Sequence, residues 1–200
     1  MDDTFKTIAQ PSEGLFKDKG SKFMSFAFPV SSEDEIKEII NTLKKEHHSA
    51  RHHCYAWRLG HEKLLSRAND DGEPSSTAGK PILGQIQSFD LTNILIVVVR
   101  YFGGTLLGVS GLINAYRSAA LDAINQAEIV EKLVEKQLFI EFDYLVMNEI
   151  MKIFKDEKLL QIEPQFDLKC RIKTLVRLSE LERITEEFHK VGGSKVTHQD

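Results

Sequence analysis

"NILIVVVRYFGGTLLGVSGLINAYRSAA", residues 93–120, places two periodic patterns on either side of a glycine-rich turn. From Asn93 to Tyr101 the β-branched and aliphatic residues run without the polar alternation of a half-solvated strand, so a strand buried on both faces is expected. Near Gly108 the period changes. Leu112, Ala115, Tyr116, Ala119, Ala120, Ala123 and Ala127 recur at helical spacing, and a stripe of such small side chains lets a helix lie close to a sheet. Gly103, Gly104, Gly108 and Gly111 permit positive φ and the close approach of a ligand or another backbone. Exposed N–H groups at the helix start favour an anion by about 0.3–1 kcal/mol, and Arg100 and Arg117 add charge nearby. The plainer reading of the glycines is that they turn the chain and allow tight helix-to-sheet packing.

Upstream lies "RANDDGEPSSTAGKPI", residues 67–82. Its Gly79-Lys80 looks like the end of a nucleotide-binding loop, but six residues separate Gly72 from Gly79 where that loop has four, and Pro81 replaces its Ser or Thr. Asp70, Asp71 and Glu73 fall within four residues. A unit charge about 4 Å from an anion costs about 1 kcal/mol in water and more at lower dielectric, so a bare phosphate is not expected there. The acids suit a basic group from a partner, an internal one such as Arg100, or Mg²⁺, and Thr77 is placed to cap the helix expected after it. The bland alternative is a carboxylate turn pinning the loop to neighbouring basic groups.

Outward from this centre, residues 4–30 read as strands broken at "QPSEG" and "KDKGS", with Met24, Phe26 and Phe28 facing one side. Ser32 and Glu35 form a capping box before the helical stripe Ile36, Ile39, Ile40 and Leu43, which His47 extends. Cys54–Gly60 and Leu64–Ala68 pair as strands. After "NQAEIVEK" the pattern restarts as strand, helix, two strands, helix and strand, with stripes at Met147, Ile150, Met151 and Phe154 and at Leu181, Ile184 and Phe188, and a second capping box at Ser179 and Glu182. The order βαββαβ predicts a ferredoxin-like domain. Two domains are therefore expected, residues 1–130 and 131–200.

Within the second domain Lys169, Arg171, Lys173 and Arg177 share one parity of a strand whose other parity carries Leu168, Cys170, Ile172, Val176 and Leu178. Such a basic row follows a phosphate backbone, or pairs with Glu163 and Asp167 on the preceding strand. Phe139 is the one clear aromatic for an RNA-stacking platform.

Composition narrows the classes. Of 200 residues, 42% are hydrophobic and 28% charged, a soluble balance; the longest aliphatic run, 94–99, is far short of a membrane span, and the first residues lack a basic start and apolar run. The net charge is −4, with 14 basic against 16 acidic residues in 1–130 and 12 against 14 beyond, so nucleic-acid binding would need a local patch. The two cysteines, Cys54 and Cys170, form neither a disulfide framework nor a four-ligand zinc set, which suits the cytoplasm. His47, His48, His52 and His53 have no zinc-ligand spacing, and His52 and His53 would point to opposite sides of an extended segment. No metal or cofactor is expected.

Together, "ARHHCYAWRLG" at 50–60, "DDGEPSSTAGKPIL" at 70–83 and "VVVRYFGGTLLGVSGLINAYRSAA" at 97–120 resemble the YigZ/IMPACT family in its bacterial two-domain branch. Asn69 stands where that family more often has Ser. The resemblance implies an α+β chain whose first domain has the left-handed βαβ crossover of a ribosomal protein and of domain IV of elongation factor G, although about 98% of such crossovers are right-handed. Its second domain would be similar to the ferredoxin-like domain at the end of elongation factor G. It implies no catalytic residues.

The expected role is a non-enzymatic cytoplasmic protein that binds RNA or a ribosome-associated partner and touches translation or its regulation. The candidate contact residues are His52, Asp70, Asp71, Gly72, Glu73, Thr77, Lys80, Arg100, Tyr101, Gly103, Gly104, Gly108, Gly111 and Arg117, with the basic row of the second domain as a nucleic-acid contact. One rival is an enzyme acting on a phosphorylated small molecule with Mg²⁺. Another is a protein-docking module without nucleic acid.

Overall fold

The computed structural model describes residues 3–198, and in it every second residue of the central apolar run faces a different core. The chain separates into two units, Phe5–Lys132, and the residues from Leu133 onward together with Asp3 and Thr4. The division lies two residues past the expected break at 130. Among the described residues, no helix is long and apolar enough to cross a membrane.

The first unit runs β1 (Thr4–Ile8), β2 (Ser12–Asp18), β3 (Ser21–Pro29), α1 (Glu33–Glu46), β4 (His52–Leu59), β5 (Leu65–Asn69), α2 (Gly79–Ser88), β6 (Ile94–Tyr101), α3 (Gly108–Gln126) and β7 (Ile129–Leu133). Five strands form one sheet in the order β2-β3-β6-β4-β5, and β1 pairs with β7, a short strand that periodicity had not marked. All neighbours in the five-stranded sheet are antiparallel. β3 and β4 flank β6, so they run parallel to each other and α1 makes a βαβ crossover between them; α2 does the same between β5 and β6.

Ile94, Ile96 and Val98 of β6 join the core under α2 and α3, while Leu95, Val97 and Val99 join the core under α1. An unbroken apolar strand is usual in parallel sheets. Here the sheet is antiparallel, and helices on both faces exclude water instead.

α1 is capped by Ser32 Oγ, which accepts from Glu35 N–H at 3.3 Å, with Ile36, Ile40 and Leu43 buried beneath. The reciprocal half of the box is shifted by one residue, since the Glu35 carboxylate accepts from Ser31 N–H at 2.8 Å. The alanine stripe of α3 has a specific use. Ser12 Oγ and Ser25 Oγ donate to the Ala123 and Ala119 carbonyls at 2.8 and 2.6 Å, and a Cβ at Gly14 would collide with the backbone of Asp122 and Ala123. Strand and helix backbones touch there, and larger side chains would hold them apart.

The second unit contains β8 (Glu135–Asp143), α4 (Met147–Asp156), β9 (Ile162–Gln165), β10 (Lys169–Arg177), α5 (Leu181–His189) and β11 (Ser194–His198), in the βαββαβ order read from the sequence. Its antiparallel sheet has the order β11-β8-β10-β9 and its own core, including Ile140, Phe142, Phe154, Ile172 and Phe188. The capping box expected at Ser179 and Glu182 does not form. Residues 178–180 make a 3₁₀ turn, α5 starts at Leu181, and Ser179 Oγ donates to Asp3 Oδ2 at 2.6 Å, because the turn carries the hydroxyl away from the helix axis. Leu168, expected on the buried parity, precedes β10 in a loop and is exposed.

Candidate functional site

The acidic loop between β5 and α2 is held by its own carboxylates. Asp70 Oδ2 accepts from Ser76 N–H at 2.8 Å, and Oδ1 accepts from Ala78 and Gly79 N–H at 3.0 and 2.8 Å. Asp70 therefore caps α2 from eight residues upstream. Thr77, expected in that role, is buried with Oγ1 donating to the Pro74 carbonyl at 2.6 Å, and the N-cap Ala78 offers no side-chain acceptor. Asp71 ties the loop to β4 and α1: Oδ2 accepts from His53 N–H at 2.7 Å and Oδ1 from Lys44 Nζ at 3.3 Å, while its carbonyl meets His52 Nδ1 at 2.8 Å. Gly72 completes the turn at φ +87°, beside the His52 ring.

Glu73 turns inward. Its Oε1 accepts from Arg100 Nη1 at 2.6 Å and from the Tyr116 hydroxyl at 2.8 Å, with His52 Nε2 at 3.9 Å. Cys54 Sγ lies 3.3 Å from that hydroxyl and 3.0 Å from the Asp70 carbonyl. Burial pushes the Cys54 thiol and the Tyr116 phenol well above their usual ranges, with the Glu73 charge among the smaller causes. Both therefore stay protonated as donors, and a protonated, enclosed thiol is a poor nucleophile.

β6 supplies Arg100 because the residues of its even parity face α2 and α3. The guanidinium lies 5.4 Å from the Phe23 ring centroid and 5.6 Å from that of Phe102, and Arg51 lies 5.7 Å from Phe102 on the outside. Rings and guanidinium groups therefore alternate, Phe23, Arg100, Phe102 and Arg51, at distances that allow cation–π attraction between successive members. Arg100 Nε is buried and makes no hydrogen bond among the described residues.

Arg100, Phe102 and Arg51 form one wall of a cleft of about 330 Å³ lined also by His52, Glu73, Pro74, Leu106, Leu107, Gly108, Val109 and Leu112. The acidic loop and the glycine-rich turn thus meet in one depression of the first unit. Its rim is apolar and open: Phe102 is 41% exposed, Val109 60% and Leu106 83%. α3 begins here at Gly108, φ +74°, and its N-cap Leu107 supplies no side-chain acceptor to the first amides.

Of the candidate residues, His52, Glu73, Arg100 and Gly108 line the cleft, and Asp70, Asp71, Gly72 and Thr77 build the loop behind it. Tyr101 lies on the opposite sheet face, where its hydroxyl meets His47 Nδ1 at 2.8 Å, because strand parity separates it from Arg100. Lys80 and Arg117 are exposed and do not line the cleft. Gly103 packs on the backbone of Gly20 and Ser21, where any Cβ would collide; Gly104 has φ +88°, and Gly111 packs on Leu107. Arg51, Phe102 and Leu106 carry no signal in the sequence pattern, and Tyr116 enters it only as a member of the α3 stripe, not as a contact residue. Tyr116 did carry a signal, being the one large, polar-tipped residue in an alanine stripe.

The basic row of β10 stands in the second unit. Arg171 Nε donates to Glu141 Oε2 at 2.9 Å, Lys169 lies 3.9 Å from Glu141, and Lys173 pairs with Glu163 and sits 5.6 Å from the Phe139 centroid. Arg177 is exposed. Of the acids expected to pair with the row, Glu163 does so; the cross-strand Glu141 on β8 takes the part expected of Asp167. His53 faces the α1 side of the sheet, and burial lowers its pKa from the usual histidine value.

The three quoted motifs converge on this cleft, and comparison with known proteins follows the same lines. Residues 19–124 match the Impact N-terminal domain. The IMPACT family member YvyE of Bacillus subtilis is 32% identical over 96% of this chain and 88% of its own length, and an IMPACT family member of Haemophilus influenzae is 40% identical over 90% and 89%. A crystal structure of a hypothetical protein superposes over 100% of this chain and 99% of that one with a TM-score of 0.76 at 24% identity, a likeness of fold. With a matched domain spanning both loops and relatives similar along nearly their whole length, the chain belongs to the IMPACT family.

Proposed function

We propose that the protein acts without catalysis of its own, in the cytoplasm, as a factor in translation or its regulation that binds RNA or a ribosome-associated partner. The observation that carries this reading is the division of labour in the cleft. Its carboxylate is spent on Arg100 and Tyr116, while Phe102, Leu106, Val109 and Arg51 face outward. Such a surface binds, because exposed apolar groups ringed by polar ones mark interaction sites. Mg²⁺-assisted phosphate chemistry is less favoured: Asp70 and Asp71 are held by backbone amides and Lys44, and Cys54 and Tyr116 remain protonated.

The same reading includes a left-handed crossover through α1 and kinship of the two units with domains IV and V of elongation factor G. The basic row of β10 would give a second, weaker contact to a phosphate backbone.

Sucrose-gradient sedimentation of the tagged full chain tests the reading. Wild-type protein is expected to travel with ribosomal particles or RNA, and the Phe102→Ala, Leu106→Asp variant to stay at the top. A wild-type chain that never leaves the top ends this reading, and co-migration that survives nuclease digestion of all RNA assigns the cleft to a protein partner.

A further inference from the structure

The cleft has a feature that generic docking does not use: an alternating series of rings and guanidinium groups that ends on an exposed arginine. Phe23, Arg100, Phe102 and Arg51 alternate ring and guanidinium, and the last member, Arg51, is exposed and has no ion-pair partner among the described residues. Guanidinium planes stack on aromatic systems, and unstacked nucleobases are held on Arg and aromatic faces. A second, independent observation lies in the same wall. The Arg100 side chain is only 7% exposed, yet its Nε–H has no acceptor among the described residues. Buried donors are almost always satisfied, and this one, itself closed to solvent, leaves the hydrogen bonding of the cleft wall incomplete.

The charge balance agrees. Glu73 offsets Arg100, which leaves Arg51 as net positive charge, and the opening amides of α3 have neither an intrahelical acceptor nor a side-chain cap. The occupant must therefore join a flat apolar group to an anion, in about 330 Å³, at the small end of the range for ligand pockets.

We propose that the cleft takes one unstacked nucleoside phosphate, its base laid on Arg51 among Phe102, Leu106 and Val109, its phosphate facing the start of α3 on the Arg100 side of the cleft. This rests on the reading of the cleft as a binding site and names the unit that it binds. Two sources share that chemistry, a free mononucleotide and a nucleotide within single-stranded RNA.

Isothermal titration of the full chain with AMP, GMP, CMP and UMP, with the matching nucleosides, with inorganic phosphate and with a ten-nucleotide single-stranded RNA tests it. The monophosphates are expected to bind at least about tenfold more tightly than phosphate or nucleoside alone. A tighter fit of the RNA than of the monophosphates identifies RNA as the source; equal affinity identifies the free nucleotide.

Arg51→Ala, an exposed change whose folding circular dichroism checks, should weaken binding of the preferred ligand about tenfold, as expected for losing a base-stacking partner. Arg51→Lys keeps the charge and should restore only part of it, which separates stacking from simple attraction. Inorganic phosphate binding as tightly as the monophosphates, or an Arg51→Ala protein with unchanged affinity, overturns the proposal. So does binding of an acidic, aromatic peptide to the cleft when no nucleotide binds. Co-sedimentation with ribosomal particles by a wild-type chain that binds none of the nucleotides or the RNA in the titration defeats this inference alone, whereas nucleotide binding without any co-sedimentation defeats the broader reading alone.

Discussion

Two arginine–glutamate pairs, one in each unit, have nearly the same geometry and very different surroundings. Arg100 and Glu73 meet at 2.6 Å with side chains 7% and 4% exposed, whereas Arg171 and Glu141 meet at 2.9 Å with 66% and 34% exposed. In the first, water is gone and neither partner can be removed without stranding a charge. In the second, water screens the attraction and rehydrates whatever is left. Charge counted along the chain treats these pairs alike. Burial separates a structural keystone of the cleft from a surface feature free to exchange partners.

The contrast is broken most directly at Glu73. Glu73→Ala leaves Arg100 buried and uncompensated, and urea unfolding should show a loss of about 3–5 kcal/mol. Glu73→Gln keeps an acceptor for Tyr116 and should lose less. If Glu73→Ala costs no more than a surface change, the cleft wall is wetter than its packing indicates.

A smaller effect comes from pH. Burial lowers the folded pKa of His53, so the unfolded chain takes up its proton first as pH falls. The stability tied to neutral His53 is fully present above its unfolded value of about 6.5 and is lost progressively below it. Unfolding midpoints measured from pH 7.5 to 5 should decline on the acid side, and His53→Gln should flatten that decline. An unchanged slope in the variant would assign the acid limb to other groups.

The smallest effect belongs to the exposed pair. Arg171→Ala should change stability by no more than about 1 kcal/mol in the same urea assay. A loss matching that of Glu73→Ala would erase the distinction between the two units.

Much of the architecture was legible because periodicity is local. The β6 run, the α1 stripe with its Ser32 cap, the alanines of α3 and the βαββαβ order of the second unit each follow from neighbours a few positions apart. Two helix caps escape this local reading because their partners or backbone turns lie outside the spacing rule, and one strand residue escapes it through its parity. Thr77 was chosen as the α2 cap by adjacency, but Asp70 reaches the same amides across a turn. Ser179 was read as a cap by spacing, yet a 3₁₀ turn hands its hydroxyl to Asp3. Tyr101 was grouped with Arg100 although alternation sends them to opposite faces, a distinction that the strand assignment already contained.

What the residue order settled without help is the set of elements, the faces they bury and the two loops rich in glycine and acid, since these depend on side-chain period and turn chemistry. Only the tertiary structure decided that Glu73 meets Arg100 and Tyr116, 27 and 43 positions away along the chain, and that Phe102 lies close to two guanidinium groups. Those partners are set by strand register and by how far α3 sinks onto the sheet. Both are fixed by packing summed over the whole core, and no window of sequence contains that sum.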